Sequence, residues 1–176
     1  MKPYLAKFSY KKFYLMSKSI YHSELILGLN ERLFINALAG VSEDQAKERL
    51  SDHNNPICWI AAHVLDSRYF MLVFLGKPAK NPYGHLFKDF KPFDPSLNYP
   101  TLGEVKKEWE RLNGLLKEAL KSITDEQLEA ESSIKVPVAD ATNGGALAFL
   151  AEHESYEIGQ LAFLKKYYTN EAMSYN

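Results

Sequence analysis

The chain has 176 residues, 46% of them hydrophobic and 13% aromatic, enough to bury one sizeable core in a single domain. Lys and Arg number 21 against 22 Asp and Glu, and the net charge of −1 provides no field favouring nucleic acid or anionic lipid. A single cysteine, Cys58, excludes an internal disulfide and any multi-cysteine zinc site, and it suits a reducing cytoplasm.

In chain order, residues 1–16 form a basic, aromatic extension, and the first 18 residues hold five lysines and no acid. The extension reads as a loosely packed arm, or as an upstream start ahead of Met16, and it lacks the apolar core and cleavage site of a signal peptide. Residues 17–176 read as one all-α unit. Its first long helix, about 17–38, places His22, Leu25, Ile26, Leu29 and Leu33 on one inward stripe. Ser42 with Gln45 marks a short capped turn. The second long helix, about 55–76, starts at Pro56 and is apolar on nearly every side, as a central helix is. His63, Asp66 and Arg68 interrupt it, so no clean membrane span of about 20 residues exists.

Residues 77–100 contain five prolines and form a long crossing loop, neither helix nor sheet. Its aromatics Tyr83, Phe87, Phe90 and Phe93 are candidates to roof a pocket or to anchor the loop. The third long helix opens on the capping box Thr101 and Glu104, with Leu102, Val105, Trp109, Leu112, Leu116 and Leu120 along its inner face. A second capped turn, at Thr124 and Gln127, and an extended surface link, ESSIKVPVADA, lead to the fourth long helix, about 143–168. A connection as long as 77–100 can return the chain along the full bundle. The expected fold is therefore a four-helix bundle, up-down-down-up, with its long crossover between helices two and three.

The fourth helix carries HESYEIGQL at 153–161. At about 100° per residue, His153, Tyr156, Glu157, Gln160 and Phe163 share its apolar arc, Ser155 and Lys165 fall on the far side, and Glu154 lies on an outer shoulder. His63 faces the core from the second helix. A buried carboxylate needs a proton, a cation or a metal, and His153 with Glu157 stand four apart on one helix face, a spacing suited to gripping one ion. With His63 they make a three-ligand candidate site with open coordination positions, and the same trio could equally form a hydrogen-bonded core cluster.

NNPICWIAAHVLDSRYFML resembles the second-helix motif of the DinB-like, YfiT-type metal-dependent proteins, and HESYEIGQLAFLKKYY resembles their fourth-helix motif, His-x-x-x-His-x-Gly-Gln followed by a basic pair. The resemblance implies a four-helix bundle that binds a divalent transition metal through three histidines, often as a homodimer. It also implies metal-dependent activation of a low-molecular-weight thiol such as bacillithiol, mycothiol or glutathione. His63 and His153 carry over as ligands, whereas the third position holds Glu157. A carboxylate still ligates Zn, Ni, Fe or Mn, but the exchange adds a negative charge and makes the site harder and less Lewis acidic, so that either the metal choice is altered or the site has decayed. Asp66 is the candidate to orient His63, and Tyr156 and Gln160 are candidates to hold substrate or a metal-bound water.

The expected function is a cytoplasmic divalent-metal-binding protein acting on a small molecule, a thiol S-transferase or hydrolase, with no nucleic acid or membrane partner. The alternative is a non-catalytic bundle for dimerisation or interaction with a decayed site. HESYE also resembles a zinc-protease string with Glu154 as base, which the outward placement of Glu154 disfavours. His22 is a spare ligand candidate on the inner stripe, Cys58 faces away from His63, and His53 and His85 sit in loops.

Overall fold

The structure is a computed structural model that describes residues 20–176; the basic extension and the first residues of the first predicted helix lie outside it. The described chain is helical, with α1 (Tyr21–Leu38), α2 (Glu43–Lys47), α3 (Ile57–Phe74), α4 (Leu102–Ser122), α5 (Asp125–Glu129) and α6 (Asn143–Thr169). The four long helices share one core, in which α3 packs against both α4 and α6, and α6 also packs against α1.

α4 behaves as its pattern requires: all six predicted inner residues are buried, and Thr101 with Glu104 closes a capping box at its start. Both short helices have the expected boxes, at Ser42 with Gln45 and at Thr124 with Gln127. α2 also serves a neighbour, because the Glu43 carboxylate accepts the Leu102 backbone N–H at 2.9 Å, one of the orphan donors of α4. α3 is buried nearly all round, with Pro56 as its cap residue and not its first helical residue. It is the one helix among the described residues long and apolar enough to cross a membrane, and most of it is covered by its neighbours.

α1 differs from expectation. Of its predicted inner stripe only Leu33 is buried, while His22, Leu25, Ile26 and Leu29 face solvent. The inner face is Ser23, Leu27, Asn30, Phe34 and Ala37. Apolar residues surround this helix, and the choice of face is made by polar partners on α6. Asn30 Nδ2 donates to Ser155 Oγ at 2.9 Å and to the Ala151 carbonyl at 3.4 Å. His22 is thereby removed as a ligand.

α6 is turned for the same reason. Glu154, expected outside, is wholly buried, and its carboxylate takes two bonds from Arg68, Nε to Oε2 at 2.7 Å and Nη2 to Oε1 at 2.9 Å. Arg68 is 1% exposed, lies 3.5 Å above the Trp109 ring centroid and donates to Asn113 Oδ1. Lys165 is also buried and donates to the Asn36 carbonyl near the end of α1 at 3.2 Å. Conversely Tyr156 and Phe163, expected inside, are each 61% exposed.

The long connection between α3 and α4 contains two short 3₁₀ turns, Gly84–Leu86 and Lys88–Phe90. Asp89 and Phe90 occupy the left-handed region with φ of 61° and 56°, and Phe90 stands fully exposed. The surface link before α6 is pinned by a single antiparallel bridge between Glu131 and Thr142. Gly145 is required where α6 begins, because a Cβ there would strike the Asp140 carbonyl oxygen.

Candidate metal centre

The seam between α3 and α6 brings His63 level with His153. Each imidazole is held by an aromatic ring one turn earlier on its own helix: Trp59 stacks on His63 with centroids 5.0 Å apart, and Phe149 stacks on His153 at 5.9 Å. The crossing loop adds a third ring, Phe87, which lies 5.3 Å from His63 and 5.4 Å from Trp59. Of the candidate roof residues, Phe87 covers the site, Phe90 does not, Phe93 packs on Tyr99, and Tyr83 packs against the core.

The two Nε2 atoms meet at 3.2 Å, and Glu157, one turn beyond His153, completes a trio whose donor atoms all lie within 4.8 Å of one another. Gln160 Nε2 donates to Glu157 Oε2 at 2.8 Å and fixes that carboxylate from the next turn. Burial sets the protonation. It lowers His63 to about 4, with the charge of His153 adding to the effect, and it lowers His153 as well, against the pull of Glu152 and Glu154. It raises Glu157 to about 7. At neutral pH both imidazoles are uncharged, the form that offers lone pairs.

The donor set fits a divalent transition ion. Two imidazole nitrogens on one tetrahedral ion are roughly 3.3 Å apart, given metal–nitrogen bonds of about 2.0 Å. Glu157 is 6% exposed and among the described residues has no cationic side chain bonded to it, which leaves a buried carboxyl group whose charge, once ionised, an ion would balance. His63 Nδ1 is buried without a hydrogen-bond partner.

Asp66 does not make the bond expected of it. Its Oδ1 accepts from Asn81 Nδ2 at 2.6 Å, and burial raises its pKa, so this side chain ties the crossing loop to α3. Tyr156 points to the surface beside the site. Gln160 is near the trio as expected, and its partner is Glu157. Cys58 is buried, with its thiol pushed up to about 11 by that burial. The sequence reading missed the Arg68–Glu154 pair. Its signal was weak: Arg68 interrupts the most apolar helix, but α6 carries several charges besides Glu154, and nothing in one sequence pairs the two.

A family model described as the DinB superfamily matches residues 27–161. Among solved structures, the chain is similar to one described as "Crystal structure of the conserved protein of locus from Enterococcus faecalis", with a TM-score of 0.64 and 15% identity, covering 85% of this chain and 96% of that one. That likeness carries the fold alone. No curated protein matches the chain.

Proposed function

The chain belongs to the DinB superfamily, and from that membership and the site we propose that His63, His153 and Glu157 hold one divalent transition-metal ion. The observation that carries this reading is the meeting of two uncharged imidazoles at 3.2 Å beside a buried carboxyl group that has no cationic partner among the described residues. Zinc, nickel, iron and manganese all accept such a mixed set, and the carboxylate shifts preference toward the harder ions.

The proposed reaction joins the sulfur of a low-molecular-weight thiol to an electrophilic carbon, the thiol proton passing to solvent and the carbon's leaving group departing with its bonding electron pair, as chloride does from chlorodinitrobenzene. A bound divalent ion supplies Lewis acidity and an open position that favours the thiolate form of a small thiol. The chain's own residues do the rest. Gln160 orients Glu157, Trp59 and Phe149 fix the two imidazole planes, and Phe87 keeps water from the outer side of His63. The same reading gives a small-molecule substrate, a homodimer and a cytoplasmic setting free of nucleic acid and membrane. Near-neutral charge and the mostly covered α3 support the setting, and light scattering on the purified chain tests the dimer.

The non-catalytic alternative rests on the same short contact, which a hydrogen bond between two neutral imidazoles also satisfies. Elemental analysis of protein purified without chelator or nickel resin separates the readings. About one mole of transition metal per mole of chain, lost in His63→Ala, is expected from the first. A folded, metal-free protein selects the second. Thiol transfer is then assayed with glutathione or bacillithiol and chlorodinitrobenzene, and inactivity with every thiol removes the transferase while leaving the ion.

A further inference from the structure

The seam between α3 and α6 continues past the trio into an open groove of about 300 Å³. Ile60 and Leu164, both buried, form its floor, and the exposed rings of Tyr156 and Phe163 form its rim. Gln160 lines the groove and also donates to Glu157, and Ile60 and Tyr156 stand one turn from His63 and His153, so Gln160 links the groove to the neighbouring trio. Asn54 and Asn55 line it as well. No Asp, Glu, Lys, Arg or His lines it among the described residues.

We propose that this groove is the subsite for the electrophilic partner of the reaction, and that it takes an uncharged molecule with a flat aromatic body and a hydrogen-bonding amide or hydroxyl at its far end. The proposal rests on the metal-centred reading for the reaction, and on the groove's own lining for the ligand class. Two exposed rings beside an aliphatic floor give an aromatic body apolar area to bury. Asn54 Oδ1 is already taken by Ser51 Oγ at 2.7 Å, which leaves the Asn54 amide N–H groups to donate to a carbonyl or hydroxyl. A carboxylate lying along the groove would give up hydration with no cationic side chain among the described lining residues to replace it. Thiols that carry carboxylates, glutathione among them, are thereby directed away from this groove, and the electrophile is left as its occupant. The volume lies at the small end of ligand sites, which run from about 300 to 1,000 Å³.

The test uses ligand-observed NMR on the full chain, zinc-loaded and metal-free, with acetanilide and its anionic analogue 4-acetamidobenzoate as probes. Acetanilide is expected to bind both forms in the millimolar range, with the anion about tenfold weaker. Tyr156→Ala combined with Phe163→Ala, two exposed positions, should weaken acetanilide about fivefold or more while zinc stoichiometry stays that of the wild type. Equal or tighter binding of the anion, no binding of acetanilide at millimolar concentration, or an unchanged affinity in the double variant overturns the proposal. Wild-type chain that takes up no zinc yet binds acetanilide counts against the metal centre and supports the groove, so the two failures are told apart.

Discussion

A carboxyl group that is 6% exposed and, among the described residues, bonded to an amide alone, as Glu157 is, keeps its proton to about pH 7. Its folded pKa lies above the unfolded value of 4.5, so the stability it contributes is complete below 4.5 and is lost as pH rises through about 7. His63 runs the other way: with a folded pKa of about 4 against 6.5 unfolded, its contribution is present above 6.5 and is lost as pH falls toward 4. Across the window between 4.5 and 6.5 the two slopes oppose each other. Metal-free Glu157→Gln should therefore gain stability relative to wild type as pH is raised from about 5 to about 8, read by urea unfolding at each pH. A difference independent of pH would mean that Glu157 titrates normally. The Arg68–Glu154 pair answers to a different rule, since removing one partner strands a buried charge. Glu154→Ala should cost about 3–5 kcal/mol, and Arg68→Met with Glu154→Leu should recover most of it, because an apolar pair of similar volume often replaces a buried ion pair at little cost. Equal destabilisation in the single and double variants would contradict this.

At the level of the helices, two glycines separate close approach from mere tolerance. Gly145 lies where the first turn of α6 meets the preceding link, 2.8 Å from Asp140 Cβ for any added methyl group, whereas Gly114 in α4 has nothing within 4 Å. Gly145→Ala should destabilise by about 1–3 kcal/mol through overpacking, and Gly114→Ala should stabilise by about 0.5–1 kcal/mol through helix propensity; thermal unfolding reads both, and the same sign at the two positions would refute the assignment. The helices also differ in how far they could be read from sequence. α4 separates polar from apolar cleanly around its circumference, so spacing alone found its buried residues. α1 and α6 carry apolar residues on every side, and their inner faces are chosen by polar groups with partners on another helix: Asn30 with Ser155, Glu154 with Arg68, Lys165 with the Asn36 carbonyl. One sequence contains both members of each pair without linking them, so the inner face of α1 is not the one the spacing predicts, while that of α6 holds Glu157, Leu161 and Leu164 as expected but gains Glu154 and Lys165 and loses Tyr156 and Phe163. The trio was readable because His153 and Glu157 stand four apart and His63 sits on a helix that is buried nearly all round. Phe87 belongs to a proline-rich loop whose path is fixed only by tertiary contacts, such as the bond from Asn81 to Asp66.

For the molecule as a whole, an ion on the trio would join α3 to α6, two helices whose contacting imidazoles are 90 positions apart in sequence. Binding that exists only in the folded chain adds its free energy to folding, about 2.7 kcal/mol when free metal is a hundredfold above its dissociation constant. For a chain of this length about 1 kcal/mol moves the melting temperature by roughly 2–4 °C, so zinc should raise it by roughly 5–10 °C and a chelator should reverse the rise. The unfolded chain keeps only loose histidine and carboxylate ligands, so weak binding there trims the shift without abolishing it. His63→Ala and His153→Ala remove ligands from different helices, and each should abolish most of the zinc-induced shift, while exposed His22→Ala should leave it whole. A shift of equal size in His63→Ala would place the stabilising ion elsewhere on the chain, and no shift in the wild type, with the protein folded, would leave the two imidazoles as a hydrogen-bonded pair.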